Sequence, residues 1–204
     1  MKNKDRNSIV NRIQPVLVEG QSIVLLSSYR TGSTALCRLL STCLKLPNLD
    51  ELFHRANDPA TYGDYKKQSC VVKIQADQIV QPYWDDLTFN AYIIGLSRRS
   101  LLDQIASFYC CHVTGVWHRY TNQARQEYKI EWTKYDLEDQ CRYIIEMNKR
   151  YQDLRHLCSQ EFVYEDICDE LQNSGMEKMI LPSNYAQLRE AIADCLTSLE
   201  NHEN

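Results

Sequence analysis

The sequence predicts an α/β fold: an open parallel sheet of about four to five strands flanked by helices, with a helical C-terminal part. Three observations predict it. Short, nearly all-apolar runs recur at Ser22-Ile23-Val24-Leu25-Leu26-Ser27, Cys70-Val71-Val72-Lys73-Ile74-Gln75 and Ala91-Tyr92-Ile93-Ile94-Gly95-Leu96-Ser97, as expected of parallel strands covered on both faces. Segments with apolar residues at helical spacing lie between them, so strand and helix alternate as in βαβ units. The first run passes through Ser28-Tyr29-Arg30-Thr31-Gly32 into a helix that opens on Ser33-Thr34, a P-loop-like strand–turn–helix at the N-terminal side.

In chain order, residues 1–20 are polar and then carry Val16-Leu17-Val18 and a Glu19-Gly20 turn, which reads as an arm ahead of one domain spanning 21–204. The first helix stops at Pro47, and Leu46 to His54 mixes apolar with acidic residues, as a partly buried loop does. Asn57 to Gln68 is polar, a short helix or an exposed loop, and Asp77 to Leu87 has weak helical spacing broken by Pro82. A helix follows the third strand from about Ser100 to His112. Residues 113–135 carry Trp117, Tyr120, Tyr128, Trp132 and Tyr135 without periodicity, which predicts a long aromatic loop over the carboxyl edge of the sheet. A strong helix runs from an Asp136 N-cap to about Cys158, with Ile144, Ile145, Met147, Tyr151 and Leu154 on one side. Glu161 to Tyr164 is a fourth strand, 166–178 a weaker helix, and Asn184 to Leu199 the terminal one.

Composition bounds the function. A chain of 204 residues buries a full core without staples. Its net charge is −4 and its pI near 5.7, so a broad basic face for nucleic acid is not expected and any anion site must be local. The nine cysteines are scattered, odd in number and set in apolar contexts, which reads as reduced core thiols. No Cys-x-x-Cys spacing is present, so no structural zinc is expected, and no carboxylate sits beside the Arg30 turn in a metal-binding arrangement, so no metal is expected there either. The polar N-terminus and the lack of any apolar run of membrane-spanning length predict a soluble, cytoplasmic protein; a homodimer is left open.

Two stretches carry chemistry. Ser33 and Thr34 fall where a helix start exposes unpaired N–H groups and positive potential, so the turn suits an anion. Gly32 lets the backbone approach it closely, and Arg30 adds a permanent charge with forked donors. The second stretch is Ser97-Arg98-Arg99-Ser100-Leu101-Leu102-Asp103-Gln104-Ile105-Ala106-Ser107. Its arginines lie at the carboxyl end of a parallel strand, where open α/β sheets bind ligands, and Ser107 lies about two helical turns beyond Arg99, on the same side. An N-capped helix and a charged strand end explain either stretch alone.

Together the two stretches resemble the sulfotransferases that use 3′-phosphoadenosine 5′-phosphosulfate (PAPS). In that family a basic residue, Ser/Thr, Gly, Ser/Thr, Thr turn binds the 5′-phosphosulfate, and Arg30-Thr31-Gly32-Ser33-Thr34 matches it position by position. The family's second signature, an Arg at a strand end with a Ser eight positions later on the 3′-phosphate, is matched by Arg99 and Ser107 and not by Arg98. Tyr164-Glu165-Asp166-Ile167 is similar to the Tyr-Glu-Asp-Leu that follows a late strand in many members. Finer features resemble the bacterial trehalose 2-sulfotransferase-like branch: Arg at position 30, Glu51-Leu52-Phe53, Val72-Lys73-Ile74, and Gln104-Ile105-Ala106-Ser107 leading to Thr114-Gly115-Val116-Trp117-His118. The Arg-Lys-Gly segment that many relatives add to the 3′-phosphate site has no match in Leu171 to Asn204.

The resemblance implies sulfuryl transfer from PAPS, as co-substrate, to a hydroxyl of a small-molecule acceptor, a sugar or glycolipid. Arg30 would neutralise charge on the sulfuryl group, Thr31 to Thr34 would hold the 5′-phosphate, and Arg99 with Ser107 the 3′-phosphate. Glu51 matches the position of a catalytic carboxylate in that branch. His54 is a rival base, Lys73 a third cation or a snorkelling strand residue, and Trp117 and His118 acceptor walls or packing. A P-loop nucleotide kinase is the competing reading, but Gly-x-x-x-x-Gly-Lys-Ser/Thr is absent. A transferring SO₃ group also carries less negative charge than a phosphoryl group, so arginine and helix N–H donors can suffice without Mg²⁺. A catalytically silent nucleotide binder of the same fold is the third reading.

Overall fold

The computed structural model describes residues 8–51, 65, 68–78, 89–117, 127–172 and 181–203. Five parallel strands, β1 (Ser22–Ser27), β2 (Asn48–Glu51), β3 (Val71–Gln75), β4 (Ala91–Ser97) and β5 (Gln160–Val163), form one sheet in the order β2-β3-β1-β4-β5. The helices are α1 (Ser8–Ile13), α2 (Ser33–Leu44), α3 (Leu101–Thr114), α4 (Lys134–Leu154), α5 (Tyr164–Leu171) and α6 (Tyr185–Glu203). This is the open, helix-flanked parallel sheet expected from the alternating runs.

Strand alternation sorts the core into two faces. Ile23 and Leu25 of β1 pack with Ile94 and Leu96 of β4 under Leu36 and Leu40 of α2, Ile9 and Ile13 of α1, and Ile167 and Leu171 of α5. Val24 and Leu26 face the opposite side with Val72, Ile74 and Ile93, where Tyr151 of α4 closes over them. A third cluster joins α3, α4 and α6 through Ile105, Leu137, Ile144, Leu188 and Ile192. Gly95 is what lets α4 come so close to β4, because a Cβ there would lie 2.5 Å from Tyr151 Oη and 2.8 Å from Cys158 Sγ.

The strand order locates the site. From β1 the chain runs to one edge and returns through β3, then crosses β1 to β4 and continues to β5 at the other edge. Connections leaving β1 and β4 therefore diverge, which opens a crevice at the carboxyl ends of these two neighbouring strands.

Four segments differ from expectation. Residues 8–13 are not a loose arm: Ile9 and Ile13 are fully buried, and Glu170 of α5 accepts the Ile9 N–H at 3.0 Å. The stretch read as a loop after Pro47 contains β2, which pairs with β3 by only three residue partners because its register shifts between Asn48 and Asp50. So short and irregular an edge strand leaves no period-2 signal to read. The N-cap of α4 is Thr133, whose hydroxyl accepts the Asp136 N–H at 3.1 Å while donating to the Asp136 carboxylate at 2.6 Å, so Asp136 sits inside the first turn. The fourth strand spans Gln160–Val163, and α5 follows it directly, opening at Tyr164. Most of Asn57 to Gln68, of the Asp77 to Leu87 segment, and part of the 113–135 loop lie outside the described residues.

All nine cysteines are free thiols, and burial pushes Cys37, Cys110 and Cys141 up to about 12, so these remain protonated core residues. Among the described residues no helix is long and apolar enough to cross a membrane.

Ile13→Ala is expected to destabilise the fold by roughly 2–4 kcal/mol, because a fully buried side chain leaves a cavity between α1 and the sheet. Urea unfolding measures it; an unchanged midpoint would mean that α1 contributes nothing to the core.

Candidate anion and acceptor cleft at the carboxyl edge of the sheet

The turn after β1 reverses direction through two left-handed residues, Arg30 with φ 59° and Gly32 with φ 85°. Gly32 is required twice over, since a Cβ there would lie 2.6 and 2.9 Å from ring carbons of Tyr164. Arg30 has no such licence, and the left-handed conformation costs a non-glycine residue about 1–2 kcal/mol. Neighbours hold it in place. Arg98 Nη1 donates to the Arg30 carbonyl at 3.1 Å, and Thr31 Oγ1 donates to the Ser28 carbonyl at 3.1 Å.

Gln104, fully buried on α3, donates to the Tyr29 carbonyl at 2.7 Å and to Ser28 Oγ at 2.8 Å. Asn148 of α4 completes the clamp, its amide donating to Gln104 Oε1 at 2.9 Å while its oxygen accepts from Ser28 Oγ at 2.5 Å. The result is a fixed turn that delivers the start of α2 to the cleft. Gly32 has no side chain with which to cap the helix, so among the described residues the N-cap makes no side-chain cap bond, and a first turn of this kind can offer its N–H groups to an anion.

A cleft of about 1190 Å³ opens over this helix start. Among the described residues three Arg or Lys side chains line it from three strands: Arg30 after β1, Lys73 on β3 and Arg98 after β4. Arg30 Nε donates to Ser107 Oγ at 3.1 Å, and its Nη1 donates to the Trp117 carbonyl at 2.6 Å. Lys73, with 2% of its side chain exposed, donates to Thr34 Oγ1 at 2.5 Å and pairs with Glu51 at 2.8 Å and Asp50 at 3.3 Å. Arg98 stacks over the Tyr164 ring at 5.0 Å, and its buried Nε has no hydrogen-bond partner among the described residues, a Glu165 oxygen lying 3.7 Å away.

The expected residues are placed as follows. Arg30, Gly32, Ser33, Thr34, Glu51 and Ser107 all line the cleft, and Thr31 is buried behind it as a structural residue of the turn. Arg99 does not converge with Ser107. Its side chain is 64% exposed and pairs with Asp166 at 2.8 Å, because Glu165 accepts the Arg99 and Ser100 N–H groups and turns that side chain outward. Arg98, set aside on spacing, is the one of the two neighbours that lines the cleft. Glu51 lies not in a loop but at the end of β2, where it is joined to Lys73. His54 and His118 lie outside the described residues.

One wall is aromatic. Phe108 meets Tyr29, Trp117 and Tyr143 with ring centroids 5.5 Å apart in each case. Tyr29 and Tyr143 both donate their hydroxyls to Asp77 Oδ2, at 3.1 and 3.0 Å. Burial and the adjacent Asp77 carboxylate raise both phenols above their ordinary range, so they act as donors. Sequence reasoning gave no role to Asp50, Asp77, Gln104 or Asn148. Gln104, a polar residue amid apolar ones on a helix, carried the one visible signal.

Glu165 anchors the strand end that carries Arg98. Burial alone would raise its carboxyl, but the N–H groups of Arg99 and Ser100, with the Arg98 charge, outweigh burial and hold it below the usual carboxylate range. A scan against protein-family models finds no matching family, and a search of curated proteins finds no match.

A lowered folded-state pKa contributes stability above the unfolded value and loses it as pH falls. Glu165→Gln should therefore cost on the order of 1 kcal/mol at pH 7, and the difference from wild type should shrink as pH falls from the ordinary carboxylate range through the lowered folded-state pKa. Chemical unfolding across pH reads this, and a difference that stays constant or grows as pH falls would contradict it.

Proposed function

We propose that this chain transfers a sulfuryl group from PAPS to a hydroxyl of a carbohydrate or glycolipid acceptor. The observation that carries the reading is the convergence, at the start of α2, of first-turn helix N–H groups, Arg30 bonded to Ser107, and Lys73 bonded to Glu51. That set combines anion binding, charge neutralisation and a carboxylate within one cleft. The N–H groups of Gly32, Ser33 and Thr34 hold the 5′-phosphate. The acceptor oxygen attacks sulfur, the bond from sulfur to the phosphate oxygen breaks, and adenosine 3′,5′-bisphosphate leaves with that electron pair. Arg30 and Lys73 neutralise charge on the leaving oxygen, and Glu51 takes the acceptor proton.

The 3′-phosphate falls to Ser107 and Arg99. To reach it Arg99 would have to leave Asp166 and turn back into the cleft, and an exposed ion pair of that kind is weak. The aromatic wall of Tyr29, Phe108, Trp117 and Tyr143 takes the apolar face of the acceptor. One observation favours a silent nucleotide binder instead. Glu51 is already paired with Lys73, and a carboxylate that stays so paired is a weak base.

Adenosine 3′,5′-bisphosphate is expected to stabilise the fold without added metal, by roughly 2.7 kcal/mol at a hundred times its dissociation constant. Thermal shift measures it, and equal or greater stabilisation by Mg-ATP would favour the kinase reading. Among variants, Arg98→Ala should weaken all nucleotides alike because it frees the Arg30 turn, whereas Arg99→Ala should remove only the preference for a 3′-phosphate. Glu51→Gln keeps size and most contacts, so nucleotide binding should survive while sulfuryl transfer to sugars falls by roughly 10² to 10⁴. Binding without transfer by the wild-type chain would favour the silent binder.

A further inference from the structure

Lys73 is the least accessible cation of the cleft and the most fully engaged. An ammonium has three donor hydrogens, and three acceptors surround this one: Thr34 Oγ1 at 2.5 Å, Glu51 Oε1 at 2.8 Å and Asp50 Oδ1 at 3.3 Å. Successive residues of a strand point to opposite faces, so two neighbours on β2 reach one amine only through a distortion. The register of β2 shifts between Asn48 and Asp50, and Asp50 adopts the left-handed φ of 56°. Asn48 Oδ1 holds the kink by accepting the Asp50 N–H at 2.9 Å. A disfavoured backbone conformation thus brings a second carboxylate onto a lysine that already has one.

The two carboxylates are not equivalent. Glu51 is 18% exposed and makes the shorter contact, whereas Asp50 is 58% exposed and makes the longest of the three. Asp50 can return to water at little cost, and Glu51 cannot. Thr34 Oγ1 accepts from Lys73 and so keeps its own hydrogen for a ligand at the start of α2. Three acceptors already take the hydrogens of Lys73, so an anion there can engage it only by displacing one, and the longest and most exposed of these contacts is Asp50.

We propose that Asp50 competes with the docked anion for the Lys73 ammonium and thereby sets the affinity and charge selectivity of the site. This rests on the preceding reading only in placing an anion at the start of α2. Anions of high charge displace Asp50, and weakly charged ones do not.

The test is calorimetric titration at low ionic strength of wild type, Asp50→Asn, Asp50→Glu and Asp139→Asn, with adenosine 3′,5′-bisphosphate and inorganic pyrophosphate as probes. Asn tolerates the left-handed conformation and matches Asp in size, and the position is exposed, so Asp50→Asn retains the fold. It should bind both probes more tightly, by roughly three- to tenfold, whereas a merely structural role would weaken binding. The gain should shrink in 0.5 M salt, to below about twofold, and Asp50→Glu, which keeps the competing charge, should bind the probes no more tightly than wild type. Asp139 lines the same cleft from α4, and Asp139→Asn should change affinity by less than about twofold. Unchanged or weaker binding by Asp50→Asn, or an equal gain in Asp139→Asn, overturns the proposal. A gain with pyrophosphate where the bisphosphate fails to bind supports it while removing the PAPS reading. Equal bisphosphate binding by all four proteins does the reverse, and no binding of either probe removes both.

Discussion

The site depends on the backbone of five residues, Ser28 to Gly32, held in a shape that the chain would not adopt unaided. Arg30 is left-handed without being glycine, and the clamp of Gln104, Asn148 and Arg98 is what sustains it. Strain of this kind persists only where the surroundings over-determine it. Here they come from three elements, the end of β4, α3 and α4, so the helical layers on the sheet act as a jig for the turn. Gln104 is the centre of that jig: a fully buried amide whose donors and acceptor all go to the turn or to Asn148. The same tight packing seats the Tyr164 ring on Gly32 and Arg98 on Tyr164, so α5 closes the turn from the other side.

Charge is handled locally. The chain is net acidic, yet among the described residues three Arg or Lys side chains from three strands meet at one helix start, each already partnered by oxygen. Arg30 rests on Ser107 and a carbonyl, Arg98 on a carbonyl, and Lys73 on a hydroxyl and two carboxylates. Ligand binding at such a site is an exchange of partners rather than the filling of a bare positive hole. Affinity is then set as much by what each cation gives up as by what the ligand offers.

Much of this was legible in the sequence, for identifiable reasons. The parallel sheet was readable because β1, β3 and β4 are buried on both faces and so present unbroken apolar runs. The turn was readable because an apolar strand run, a Gly and a helix start on Ser33-Thr34 follow one another without interruption. β2 was not, since a four-residue edge strand with a register shift has no periodicity. The choice between Arg98 and Arg99 was beyond sequence as well, because Glu165, more than sixty positions away, decides which side chain turns outward. Asp50 was hidden for a similar reason, as its approach to Lys73 depends on one backbone angle. Spacing identifies which residues share an element; it does not carry the long-range hydrogen bonds that aim them.

The most direct measurement is a crystal structure of this chain with adenosine 3′,5′-bisphosphate. The account predicts the 5′-phosphate within hydrogen-bond distance of the Gly32, Ser33 and Thr34 N–H groups, with Arg30 turned from the Trp117 carbonyl toward it and the Ser28–Gly32 backbone unmoved. A nucleotide bound away from the start of α2, or a turn that rearranges to admit it, would contradict the account.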